Sequence, residues 1–182
     1  KEAETLYKRG LAIREKSQGI NHTSTENCLL RLATIYFEHG QKDDAQRLYE
    51  RAVDLRKKSL GPGHPDVAVA MRNLASIYAA KKKYPEARET FELALNIQQN
   101  ILEPDNPDMA VTCNNLGVVY KMLGRPREAE EMYKRALAVR EKALGENHPS
   151  TRTTLRNLAD LYKYMNRSLE AEYYSARAGK GK

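Results

Sequence analysis

The sequence predicts an all-α protein, a right-handed solenoid of stacked helical hairpins, and three observations carry that expectation. Tyr36, Tyr78, Tyr120 and Tyr162 stand forty-two residues apart, as do Leu32, Leu74, Leu116 and Leu158, and Ala3, Ala45, Ala87, Ala129 and Ala171 keep the same spacing. A fixed period of this size marks an array in which each unit buries its apolar face only against its neighbours. Between the marked residues the apolar positions recur at helical intervals, with no glycine-rich strand pattern among them. Finally, His64-Pro65-Asp66, Asn106-Pro107-Asp108 and His148-Pro149-Ser150 repeat as helix starts. Proline suits the first helical position, where no amide hydrogen is needed, and an acidic residue in the first turn complements the helix dipole.

Residues 1–19 read as the second helix of a truncated repeat, with Ala3, Tyr7 and Gly10 in register with Ala45, Tyr49 and Ala52. A full repeat follows over 20–61, where the start signal decays to His22-Thr23-Ser24. The repeat 62–103 is the type example. Met71, Leu74, Ala75 and Tyr78 fall at i, i+3, i+4 and i+7 on its first helix, and Ala87, Phe91, Ala94 and Leu95 form the stripe of its second. Lys81-Lys82-Lys83 break the two, in register with His39-Gly40-Gln41 and Leu123-Gly124-Arg125. A third full repeat spans 104–145, and 146–182 is a repeat truncated near its C-terminus. The expectation is about nine helices, one leading second helix and four hairpins, in a single repeat domain. Because it opens and closes part-way through second helices, the sequence reads as a piece of a longer array.

Small residues mark places where helices cross closely: Ala33, Ala75, Gly117 and Ala159 on the first helices, and the alanine row on the second. A larger group there would force the helices apart. The repeated tyrosine adds a large apolar body whose hydroxyl can reach a partner at the core's edge.

Composition narrows the function classes. The 182 residues are 41% hydrophobic and 30% charged, a soluble helical composition. No run approaches the apolar length that spans a bilayer, and no apolar targeting segment opens the chain, so no membrane insertion and a cytoplasmic setting are expected. Cys28 and Cys113 differ in position within their repeats and read as reduced thiols. His22, His64 and His148 sit at connectors on different rungs and read as residues that open helices, too far apart to share a metal ion. No phosphate-cradling loop, zinc spacing or nucleophile motif is present, which predicts a non-enzyme without a cofactor. The net charge of +7 suits acidic partners. Nucleic acid is disfavoured, since lysine and arginine alternate with glutamate on second helices, as in Lys134-Arg135 near Glu130-Glu131 and in Arg140-Glu141-Lys142, a pattern of a solvated face with i,i+4 pairs.

Leu74, Ala75, Tyr78, Ala87, Phe91 and Ala94, with their counterparts in the other repeats, resemble the signature positions of the tetratricopeptide repeat. That family's usual period is about thirty-four. The longer unit here, with Leu-Gly-x-x-His-Pro and Asn-Leu-Ala, resembles the kinesin light chain and nephrocystin subgroup. The extra length falls in a longer second helix, Val53 to Leu60, and in the connector that follows. The resemblance implies a non-catalytic scaffold whose first helices line a concave face that captures an extended peptide. Kinship with kinesin light chains implies linking cargo adaptors to a microtubule motor through the kinesin heavy chain. Kinship with nephrocystin implies assembly in cilia.

On the first helices, the residues beside the core stripe are the candidates for that groove. Asn73, Asn115 and Asn157 recur at one place, and a ladder of amides can hold a peptide backbone by donating to carbonyls and accepting from amide hydrogens. Arg72, Arg156 and Arg31, the last replacing asparagine, suit carboxylates, and Lys121 and Lys163 add positive charge at the edge. Ser76 and Asn114 complete the set. The expected ligand is an acidic linear motif. A structural alternative stands beside it: the asparagines can equally bridge neighbouring first helices. Self-association is also open, through uncovered repeat ends that carry Leu6, Leu11, Tyr173 and Tyr174.

Overall fold

A computed structural model describes residues 2–18, 23–103 and 105–179. Among these the elements are nine helices and no strand: α1 (Glu2–Gln18), α2 (Thr23–Glu38), α3 (Lys42–Leu60), α4 (Pro65–Ala80), α5 (Tyr84–Ile101), α6 (Pro107–Met122), α7 (Pro126–Leu144), α8 (Pro149–Tyr164) and α9 (Ser168–Gly179). The all-α hairpin repeat is therefore as the period predicts, and α3 runs to Leu60 as the extra length requires. Contacts divide the chain into two compact units, Lys1–Ile97 and Gln98–Lys182.

Helix starts follow the sequence signal closely. His64 Nδ1 accepts from the Asp66 amide at 3.1 Å, Asn106 Oδ1 from the Asp108 amide at 2.9 Å, and His148 Nδ1 from the Ser150 amide at 3.1 Å. Each of these residues thus caps its helix while proline occupies the next position, so histidine does here what Asn or Asp does elsewhere. His22 and the side chains of Ala3, Thr23 and Ser24 lie outside the described residues.

Hairpin turns are equally regular. The carbonyls of Tyr36, Tyr78, Tyr120 and Tyr162 accept from the amides of Gln41, Lys83, Arg125 and Arg167 at 2.8 to 2.9 Å. Each closure needs one left-handed residue just before it, and Gly40, Lys82, Gly124 and Asn166 supply φ of 77°, 60°, 71° and 58°. Lysine carries a Cβ into a conformation that glycine enters without strain.

In residues 1–97, α2 packs on α3 and α3 on α4. The core between them holds Ala33, Ala45, Tyr49, Val53, Val67 and Met71, with Leu30, Tyr36 and Tyr78 at its margin. Leu29, Ala52 and Leu55 make a second cluster against which Leu11 of α1 packs. The Tyr78 hydroxyl reaches Glu50 Oε1 at 2.8 Å, and burial together with this bond pushes its pKa up to about 12.

In residues 98–182, α6 packs on α7, α7 on α8 and α8 on α9. Leu116, Tyr133, Leu155, Leu158, Leu161 and Tyr162 are fully buried there. The Tyr162 hydroxyl donates to Glu130 Oε1 at 2.8 Å. Gly117 lies under the Tyr133 ring so closely that an added Cβ would come within 2.7 Å of it, which accounts for glycine where the other repeats have alanine.

Candidate peptide-binding face

Four first helices carry the candidate residues, α2 and α4 in one unit and α6 and α8 in the other. On α2, Arg31 is exposed. On α4, Arg72, Asn73 and Ser76 are half-buried, and the Ser76 hydroxyl donates back to the Arg72 carbonyl at 3.0 Å, leaving its oxygen free to accept. On α6, Asn115 and Lys121 are half-buried. On α8, Asn157 is half-buried and Arg156 exposed. The asparagine position therefore has the same partial exposure on three helices. That follows from its place beside the core stripe, one residue before the repeated leucine.

Asn114 departs from the expectation. It is 7% exposed, and its Oδ1 accepts from Asn157 Nδ2 at 3.1 Å and from Thr154 Oγ1 at 3.3 Å. It is a strut between α6 and α8 and not a surface residue of the groove. The bond also shows how the two neighbouring positions differ. Asn157 points back toward α6, and Asn114 is covered by α8. Leu30, in register with Asn114, is likewise packed against the core that α4 helps to form. Asn157 so combines both roles that its residue type allows: one amide N–H bridges helices, and its remaining N–H and its oxygen are left for other partners.

Arg140 is a second correction. Placed by sequence on a solvated face, it is 7% exposed and donates to the Ser150 carbonyl at 2.8 Å and to Thr154 Oγ1 at 2.5 Å. Burial lowers its pKa, the cost of holding a cation away from water. By contrast Lys134 and Glu130 form the expected i,i+4 pair at 2.5 Å. Arg140 has a legible signal that residue-by-residue reading misses: Arg14 and Arg56 stand at the same place in earlier repeats. Arg56 pairs with the buried Glu26 and donates to the Asp66 carbonyl at 2.9 Å, while Arg14 reaches Cys28 Sγ. Burial raises the Glu26 pKa against the opposing pull of Arg56.

Both cysteines are free and buried, and burial pushes the Cys113 thiol up to about 11. Among the described residues no group of His, Cys, Asp or Glu is placed to hold a metal ion, and no helix is long and apolar enough to cross a membrane.

A family model described as tetratricopeptide repeat matches residues 1–58, 43–91, 66–142 and 114–178. Among solved structures, a Podosopora anserina protein assigned as a kinesin light chain, with nearly identical tetratricopeptide-like repeats, is 28% identical at a TM-score of 0.84, covering 97% of this chain and 84% of its own. BtubC (BKLC) from P. vanneervenii is 28% identical at a TM-score of 0.85, covering 97% of this chain and 70% of its own. MamA, at 18% identity and a TM-score of 0.68, shares the fold. No curated protein matches.

Proposed function

Because this chain belongs to the tetratricopeptide repeat family and two of its solved neighbours are kinesin light chain-like, we propose that it is an interaction scaffold that holds an extended, acidic segment of a partner protein on its first helices. Repeats of this kind are typically non-catalytic scaffolds, and the finer reading rests on one observation: Asn73, Asn115 and Asn157 are half-buried at the same place on α4, α6 and α8. A half-buried amide is partly shielded from water, fixed in direction by its helix, and able to both donate to and accept from a peptide backbone. Arg31, Arg72 and Lys121 would add carboxylate partners along the same helices, with Ser76 as a further acceptor. Asn114 has no part in this, since its oxygen is engaged beneath the surface.

By likeness to kinesin light chains, the partners in this reading are cargo adaptors and a motor heavy chain. A screen of acidic and charge-neutralised peptides by fluorescence anisotropy tests it. Asn115→Ala and Arg72→Glu should each weaken capture about tenfold, as loss of one charge-assisted or buried hydrogen bond implies, with helicity unchanged. Undiminished capture by both variants overturns the assignment.

A further inference from the structure

Asn157 is held by a series of hydrogen bonds that starts on a second helix. Arg140 of α7 donates to Thr154 Oγ1 of α8 at 2.5 Å, the Thr154 hydroxyl donates to Asn114 Oδ1 of α6 at 3.3 Å, and Asn157 Nδ2 of α8 donates to the same oxygen at 3.1 Å. Arg140, Thr154 and Asn114 are buried, whereas Asn157 is half-buried on the candidate peptide-binding face.

The cation at one end sets the direction of the series. A guanidinium can only donate, so the Thr154 oxygen accepts from it and its own hydrogen turns to Asn114 Oδ1 and the Ser150 carbonyl, both at 3.3 Å. A hydroxyl that accepts from a cation is the stronger donor, which favours the oxygen of Asn114 over its NH2 group at this point. With that oxygen facing α8, Asn157 turns Nδ2 toward it. The oxygen and nitrogen of an amide diverge from one carbon, so Asn157 Oδ1 is aimed away from Asn114, and among the described residues no hydrogen bond engages it.

No other repeat has these parts. Leu30, Arg72 and Arg156 stand at the place of Asn114, and none of them carries a side-chain acceptor. In residues 1–97 the counterpart of the Asn114–Asn157 pair is Leu30 and Asn73, and Leu30 packs against the core. The Asn73 amide is therefore able to present either end, and the Asn157 amide only one.

We propose that Asn114, Thr154 and Arg140 are positioning residues that make Asn157 a one-way contact, whose Oδ1 accepts a main-chain N–H of the bound peptide. This rests on the reading of the asparagine row as a peptide-binding face and narrows its ligand to an extended segment with an unsubstituted amide N–H where it crosses α8. Asn114 touches no ligand and acts through Asn157.

Two measurements on the whole chain test it. In the 15N-labelled protein, side-chain amide hydrogen exchange of Asn157, assigned by its loss in Asn157→Ala, should be about tenfold slower than that of Asn73. The difference should vanish in Asn114→Leu and survive in Asn114→Asp, which keeps an acceptor at the same place. The second measurement is anisotropy with a fluorescein-labelled peptide of alternating aspartate and serine, about ten residues long, with and without N-methyl groups on its serines. Methylation should weaken capture by the unaltered chain at least about tenfold, and that penalty should fall to about a third or less in both Asn157→Ala and Asn114→Leu and persist in Asn114→Asp. If Asn114→Leu lowers helicity by circular dichroism, Asn114→Ala replaces it with the same loss of acceptor. Equal exchange of Asn157 and Asn73, an Asn114→Asp protein that behaves as the leucine variant, or a penalty that falls for Asn157→Ala and not for Asn114→Leu overturns the proposal and leaves the peptide-binding face standing. No capture by about 1 mM, or capture indifferent to both Asn115→Ala and Asn157→Ala, removes that face and the proposal with it.

Discussion

Arg140 and Gln98 occupy the same place in successive repeats, near the ends of α7 and α5, yet one is satisfied and the other is not. The guanidinium of Arg140 reaches a backbone carbonyl and a hydroxyl on α8. Gln98 is 1% exposed, and neither its oxygen nor its nitrogen has a hydrogen-bond partner among the described residues. Its side chain is shorter than the arginine's and ends before the level at which the guanidinium nitrogens act. Both side chains are buried, then, but satisfaction is dictated by reach, and a buried amide without partners carries a desolvation cost of about 1–3 kcal/mol.

Converting one region into the other should give the largest effect. Arg140→Gln would leave an unpaired amide at the end of α7 and take from the Ser150 carbonyl the guanidinium N–H, leaving it the longer Thr154 hydroxyl contact at 3.3 Å, and a loss of about 2–3 kcal/mol is expected. A lowered urea midpoint at constant m-value would register it. An unchanged midpoint would mean that the cost of burying the cation equals what its hydrogen bonds return.

Gly117 offers the same kind of contrast in size. Its counterparts Ala33, Ala75 and Ala159 all carry a Cβ, whereas at Gly117 the Tyr133 ring occupies that space. Gly117→Ala should cost about 1–3 kcal/mol by displacing Tyr133, against a gain of less than about 1 kcal/mol from helix propensity. Thermal unfolding of the pair Gly117→Ala and Gly117→Ala/Tyr133→Leu would show recovery in the double variant.

Relieving Gln98 runs the first comparison in reverse. Gln98→Met keeps length and removes the orphaned amide, so a gain of about 1 kcal/mol is expected in chemical denaturation. The smallest effect is at the hairpin turns. Lys82→Gly should stabilise by about 1 kcal/mol because the left-handed conformation is strained for a residue with a Cβ, and Asn166→Gly by only a few tenths, since asparagine tolerates that region. Equal shifts in melting temperature for the two would show that φ is not what distinguishes them.

How far the site can be read from sequence depends on the residue. The asparagine row is legible because one residue type recurs beside a core stripe whose direction the helical period sets. That Asn114 lies inside is not: it and Asn115 are adjacent in sequence, both flank the stripe, and only the docking of α8 decides which is covered. Arg140 is misplaced by sequence for the same reason, since charge suggests solvent unless a carbonyl from the next helix waits for it. Arg14 and Arg56 are the available clue.

The period and its stripes determined by themselves the helices, their turns, their caps and the buried row of leucine, alanine and tyrosine, because each of these follows from local geometry repeated. Which polar side chains become struts, which remain available to a partner, and which are left unpaired was decided by tertiary packing alone. A hydrogen bond to a neighbouring helix turns on whether a side chain can span the gap, and that distance exists only once the helices have come together.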